Sequence, residues 1–230
     1  MFNARHHRAH AGFTLVELLV SLLLTSIILG AVYSVYRMQS HTLKIQENRL
    51  DAQEYARSVL DLMVREIRNA GYNPNGAVSG TALGTNCAGG AVGAPGVVTA
   101  TATTFRFTSD FQGTTAGSVP NGTCNNADED ITYAFDTTCS GGGSLGNITR
   151  NGSSNPLTEC NVTSFDIRYF KQDGTELSRP VTGATNLSSI QRVQITLTVQ
   201  SKNPDSQFGG QQLNATVTSN VDLRNRGLPS

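Results

Sequence analysis

The sequence predicts an α+β protein in which one long N-terminal helix packs on an antiparallel β-sheet. The helix is expected to be transmembrane in its first half and amphipathic in its second. Three observations carry this. The helical pattern runs from Leu15 to Asn69 with no proline and a single glycine, Gly30. Residues 13–35 are apolar and contain one charge, Glu17. Beyond Gly71, short segments alternate apolar and polar residues with no helical pattern between them, which is the signature of half-buried antiparallel strands.

The amino terminus reads MFNARHHRAHAG and then FTLVELLVSLLLTSIILGAVYSV. Its first twelve residues hold Arg5, Arg8, His6, His7 and His10 and no acid. At 1.5 Å per residue, a helix over 13–35 is roughly 34 Å long, enough to cross a hydrocarbon core. The basic leader stays on the cytoplasmic side by the positive-inside tendency, which places the rest of the chain outside. A secretory signal would place small residues for cleavage after the apolar run. Leu29-Gly30-Ala31 is a poor site of that kind. Neither a cleaved signal nor a plain anchor accounts for Glu17. An unpaired carboxylate in lipid costs on the order of 3 kcal/mol, so Glu17 calls for a compensating charge.

After the apolar run the helix turns amphipathic. Ala52, Ala56, Val59, Met63, Ile67 and Ala70 recur at spacings of three and four, with Leu60 and Val64 beside them. Glu47, Arg49, Glu54, Arg57, Arg65 and Arg68 lie mostly off this stripe. Gly71 and Pro74 mark the stop. Strands are expected over 103–108, 130–135, 165–170, 192–200 and 215–223, with a shorter one over 144–150. Their inward residues are Phe105 and Phe107; Ile131, Tyr133 and Phe135; Phe165, Ile167 and Tyr169; Val193, Ile195, Leu197 and Val199; Val217, Val221 and Leu223. The 144–150 segment pairs with 130–135 across the glycine-rich turn at 140–143, and 192–200 pairs with 215–223 as a long-looped hairpin. Residues 73–102 read as an irregular connector.

Charged residues are only 15% of the chain, and the formal net charge is zero. With the leader set aside, 15 basic side chains face 17 acidic ones, because Arg5 and Arg8 account for two of the 17 basic residues. A slightly acidic body has no electrostatic reason to bind nucleic acid. Four cysteines, Cys87, Cys124, Cys139 and Cys160, all follow the export segment, where disulfides form. Four cysteines allow three connectivities; Cys87–Cys124 and Cys139–Cys160 are favoured because each joins sequence neighbours. Without the leader only His41 remains among the histidines, so His–Ser, His–Cys and His-based zinc chemistry fail on inventory. The acids Asp128-Glu129-Asp130 read as a solvated loop rather than a calcium site, because consecutive acids project in different directions. Arg65, Glu66 and Arg68 read as a helix face, with an intersubunit ion pair as the alternative. No cofactor or metal is implied.

The stretch Gly12-Phe13-Thr14-Leu15-Val16-Glu17 resembles the processing motif of type IV pilins and of type II secretion pseudopilins. The resemblance implies that a prepilin peptidase cuts after Gly12 and methylates the new amino terminus at Phe13. Glu17 then becomes the fifth residue and pairs with the amino terminus of an adjacent subunit. A fresh ammonium beside the positive end of its own helix needs such an acid, and a low-dielectric setting strengthens the pairing.

Leu60-Asp61-Leu62-Met63-Val64-Arg65-Glu66-Ile67-Arg68-Asn69-Ala70-Gly71-Tyr72 and the closing Val221-Asp222-Leu223-Arg224-Asn225-Arg226 resemble PilW-type minor pilins, relatives of pseudopilin J. That resemblance implies a non-enzymatic subunit priming pilus assembly or sitting at the filament tip. Its partners would be other minor and major pilins, prepilin peptidase, the inner-membrane pilus assembly machinery and the membrane itself. The implied organisation is a leader at 1–12, a transmembrane half-helix at 13–35, an amphipathic half-helix at 36–71 and a β-rich periplasmic or extracellular domain at 72–230. The protein would sit in the inner membrane as a single-pass chain and then enter a pilus at the cell surface. A type II secretion pseudopilin and a tip adhesin using residues 73–102 and the cysteine loops are the alternative readings.

Overall fold

The first helix, α1, runs over Leu15–Ile67. The computed structural model describes residues 13–72, 96–113, 118–120, 127–140, 144–201 and 212–225. The chain divides into two units, Met1–Glu47 and Asn48–Ser230. In the first, every described residue from 13 to 39 is exposed. In the second, Ala52, Ala56, Val59, Leu60, Met63, Ile67 and Ala70 are buried and Val64 packs against them, so the expected stripe is the face that meets the core.

The helix stops two residues before Asn69. Its end tightens into i→i+3 bonds, with Asn69 N–H donating to Glu66 O and Ala70 N–H to Ile67 O, both at 3.0 Å. Gly71 then takes a left-handed φ of 79°, which glycine adopts without a Cβ penalty. Its N–H donates to Thr108 O at 2.9 Å, fastening the helix end to a strand.

Among the described residues seven strands follow: β1 Val97–Ala100, β2 Thr104–Thr108, β3 Asp130–Asp136, β4 Asn147–Arg150, β5 Val162–Phe170, β6 Arg192–Gln200 and β7 Asn214–Asp222. All described pairings are antiparallel, but the strands form two sheets rather than one. The first has the order β1-β2-β3-β4 and the second β5-β6-β7. Both expected hairpins are present. Phe135 faces Ile148 in β3–β4, and β6 pairs with β7 without a register shift from Arg192↔Asp222 to Gln200↔Asn214.

Backbone contacts join the sheets. Ile167 N–H donates to Ala102 O at 2.9 Å, and Gly146 and Val162 exchange bonds of 2.8 and 2.9 Å. Gly146 is needed there for space, since a Cβ would meet the Phe135 ring at 2.3 Å and Asp136 O at 2.7 Å.

Apart from Phe135 and Val217, which are partly buried, the inward residues expected of the strands are buried, and they share one core with the α1 stripe. Phe105 stacks at 5.6 Å from both Phe107 and Tyr169, and Phe107 lies 6.4 Å from Tyr133.

Two elements depart from expectation. Residues 97–100 are a strand, not irregular connector; residues 73–95 lie outside the described part. β1 has two intermediate residues between two buried ones and a register shift between Val97 and Thr99, so it never alternates. A short helix, α2 at Ala184–Ser188, seats Leu187 and the following Ile190 in the core. Five residues are too few to show a helical period.

Candidate functional site

The candidate site is the start of α1. Gly12 lies outside the described residues, and Phe13 is 83% exposed. Thr14 caps the helix: its Oγ1 accepts the N–H of Glu17 at 3.3 Å. Thr14 and Glu17 thus stand as the first and fourth residues of a capping-box sequence. The pattern Thr-x-x-Glu before an apolar run is the sequence signal for this cap. Glu17 is exposed, and among the described residues its carboxylate has no hydrogen-bond or ion-pair partner. An acid in the first turn complements the positive end of the helix and is open to a second positive charge.

The apolar side chains after it are presented on every face. Leu15, Leu19, Leu23, Ile27 and Val32 are all more than half exposed. A surface this large and apolar is not tolerated in water by a lone soluble chain. The helix is long and apolar enough to cross a membrane.

The hydroxyls in the run are satisfied from within. Ser21 donates to Leu18 O at 2.9 Å, Thr25 to Ser21 O at 2.7 Å, Ser26 to Leu23 O at 2.8 Å and Ser34 to Ala31 O at 2.8 Å. No hydroxyl among these four therefore asks for water, which suits lipid or the interior of a helix bundle.

In the second unit, side chains from α1 and the first sheet form a charged cluster. Glu66 accepts from the Tyr133 hydroxyl and from Arg150 Nε at 3.1 Å, and Arg150 Nη2 reaches Asp128 at 2.8 Å. Burial, then the bond to Glu66, holds the Tyr133 phenol well above its ordinary value. Burial alone would lower the Arg150 guanidinium, but its bonds to Glu66 and Asp128 outweigh that and hold it up. Glu66 therefore pairs within its own chain, which corrects the intersubunit alternative for that residue.

The acidic loop is also corrected. Glu129 is fully buried and accepts from Gln112 N–H at 3.1 Å, while Asp130 forms a two-bond pair with Arg106 at 2.8 and 2.6 Å. Only Asp128 keeps an exposed carboxylate. No signal in a single sequence couples residues as distant as Glu66 and Arg150; the fold alone brings them together.

Cys139 and Cys160 are bonded, with Cα atoms 5.7 Å apart, closing the loop that carries β4. Cys87 and Cys124 lie outside the described residues, so their expected pairing does too.

Residues 7–33 match the family described as the prokaryotic N-terminal methylation motif. The chain therefore carries that motif on the exposed apolar helix. A type IV-like pilin from Thermus thermophilus is similar in structure, with a TM-score of 0.46 and 11% identity over 76% of this chain and 96% of that one. No curated protein matches the chain in sequence.

Proposed function

We propose that this protein is a minor pilin of a type IV pilus, of the PilW type, made as a precursor and assembled after processing. Prepilin peptidase removes residues 1–12 by cutting between Gly12 and Phe13, and Phe13 is N-methylated. The chain then stands in the inner membrane on its first helix, with its β-rich domain in the periplasm. From there it joins other minor and major pilins through the assembly machinery, priming the filament or capping its tip. The observation that carries this reading is the methylation motif on a helix whose apolar side chains are exposed all round and whose one early charge has no partner among the described residues. Head-to-tail contacts between unlike faces build helical filaments and tips, and such a helix can pass from lipid into a bundle of its own kind.

The chemistry is a charge pairing. A freed amine at Phe13 and the Glu17 carboxylate of a neighbour would neutralise each other in a low-dielectric core. Mass spectrometry of the exported chain tests the first step: it should begin at N-methylated Phe13. Glu17→Val should still insert and be processed, yet enter filaments poorly. An exported chain starting elsewhere, or normal incorporation of Glu17→Val, would refute the pairing. Deleting the gene separates the finer readings. Loss of pili supports the minor pilin, loss of protein secretion with pili intact supports a pseudopilin, and loss of attachment alone supports a tip adhesin.

A further inference from the structure

We propose that a cavity between α1 and the ends of β5 and β6 is a receptor for an alkyl guanidinium or ammonium group. The cavity has a volume of about 280 Å³, and Asp51, Ala52, Tyr55, Asn161 and Gln200 are in its wall. Among the described residues, its lining includes one carboxylate and no basic side chain.

Two acceptors in that wall are unmatched. Asn161 Oδ1 is buried and, among the described residues, has no hydrogen-bond partner. Its orientation is set from the other end of the amide, where Nδ2 donates to Gln200 O at 3.4 Å. Among the described residues, Asp51 has no ion pair. A buried acceptor without a donor is unfavourable, so the cavity calls for a group rich in N–H. The Asp51 charge favours a cation over a neutral donor, and so does the aromatic ring of Tyr55. That ring is tied in place, because the Tyr55 hydroxyl accepts the Glu159 N–H at 2.9 Å. Position 52, in the cavity wall one turn before Tyr55, is alanine, which leaves room that a larger side chain would fill.

The same cation has two sources: a basic side chain of another protein chain, or a free small amine. Titrating the full-length, ¹⁵N-labelled protein in detergent micelles with Nα-acetylarginine amide, free arginine and putrescine tests the receptor and separates them. Saturable shifts are expected at Asp51, Tyr55 and Asn161, weakened about tenfold in Asp51→Asn and lost in Ala52→Leu. Asp51 is exposed on the helix, so Asp51→Asn keeps the test alive should Ala52→Leu misfold. Equal affinity for the blocked amide and free arginine assigns the site to a protein side chain. A preference of about tenfold or more for arginine or putrescine assigns it to a small amine. No saturable shift for any of the three up to about 50 mM, or shifts indifferent to Asp51→Asn, would overturn the receptor and leave the cavity merely hydrated.

Discussion

Residues 15–38 and 52–70 belong to apolar stretches of almost the same backbone, yet their side chains meet opposite fates. Leu24 is 54% exposed, whereas Met63 is 0% exposed. The later stretch confines its apolar residues to one stripe, and two sheets cover it. The earlier stretch has them on all faces, so no single layer of this chain could cover it. One part of the molecule completes its own core. The other leaves its apolar faces exposed, and it is the part that carries the methylation motif.

Truncating one residue in each stretch breaks the comparison most directly. Met63→Ala should destabilise the domain by about 2–5 kcal/mol, because it removes fully buried volume. Leu24→Ala should change domain unfolding by less than about 0.5 kcal/mol. Chemical denaturation of both variants in detergent checks the pair, and a large loss in Leu24→Ala would mean that the early stretch is also held by the domain.

A smaller effect sharpens how the second stretch is held. Arg150→Met leaves Glu66 part-buried beside Tyr133 without its cation. The expected loss is about 2–3 kcal/mol, below the full cost of orphaning a buried charge because Glu66 keeps some solvent. Full stability in Arg150→Met would show that this ion pair adds nothing to the grip of the sheets on α1.

The smallest effect is alkaline. Burial, with Glu66 added for Tyr133, raises the phenols of Tyr133 and Tyr169 above the ordinary 10.0. The unfolded chain therefore ionises first as pH rises. Stability from these groups is complete below pH 10 and falls above it, by up to about 1.4 kcal/mol per pH unit for each tyrosine. Denaturation midpoints across that range should fall less steeply in Tyr133→Phe. An unchanged slope would mean that Tyr133 titrates as an exposed phenol.

Sequence reading reached the helix, its stripe, six of the seven strands and the Cys139–Cys160 bond because each is written locally. A stripe needs only the 3.6-residue period, a strand only the period of two. It passed over β1 and α2, which are too short or too irregular to show either period. It misjudged Glu66 and Glu129 for a different reason. Whether an acid is solvated or buried depends on what the fold brings to it, and Arg150 and Gln112 lie far from them in the chain.

The sequence by itself determined that a single-charge apolar helix follows a basic stretch, and that a β-rich domain follows a helical stripe. Those features depend on neighbours within a few residues, where hydrophobic period and turn chemistry decide the outcome. Only the tertiary structure decided that the strands divide into two sheets, that Glu66 is neutralised within its own chain, and that Asp51 and Asn161 border one cavity. Each of those depends on which distant segments share space, and a local pattern of residues carries no such distance.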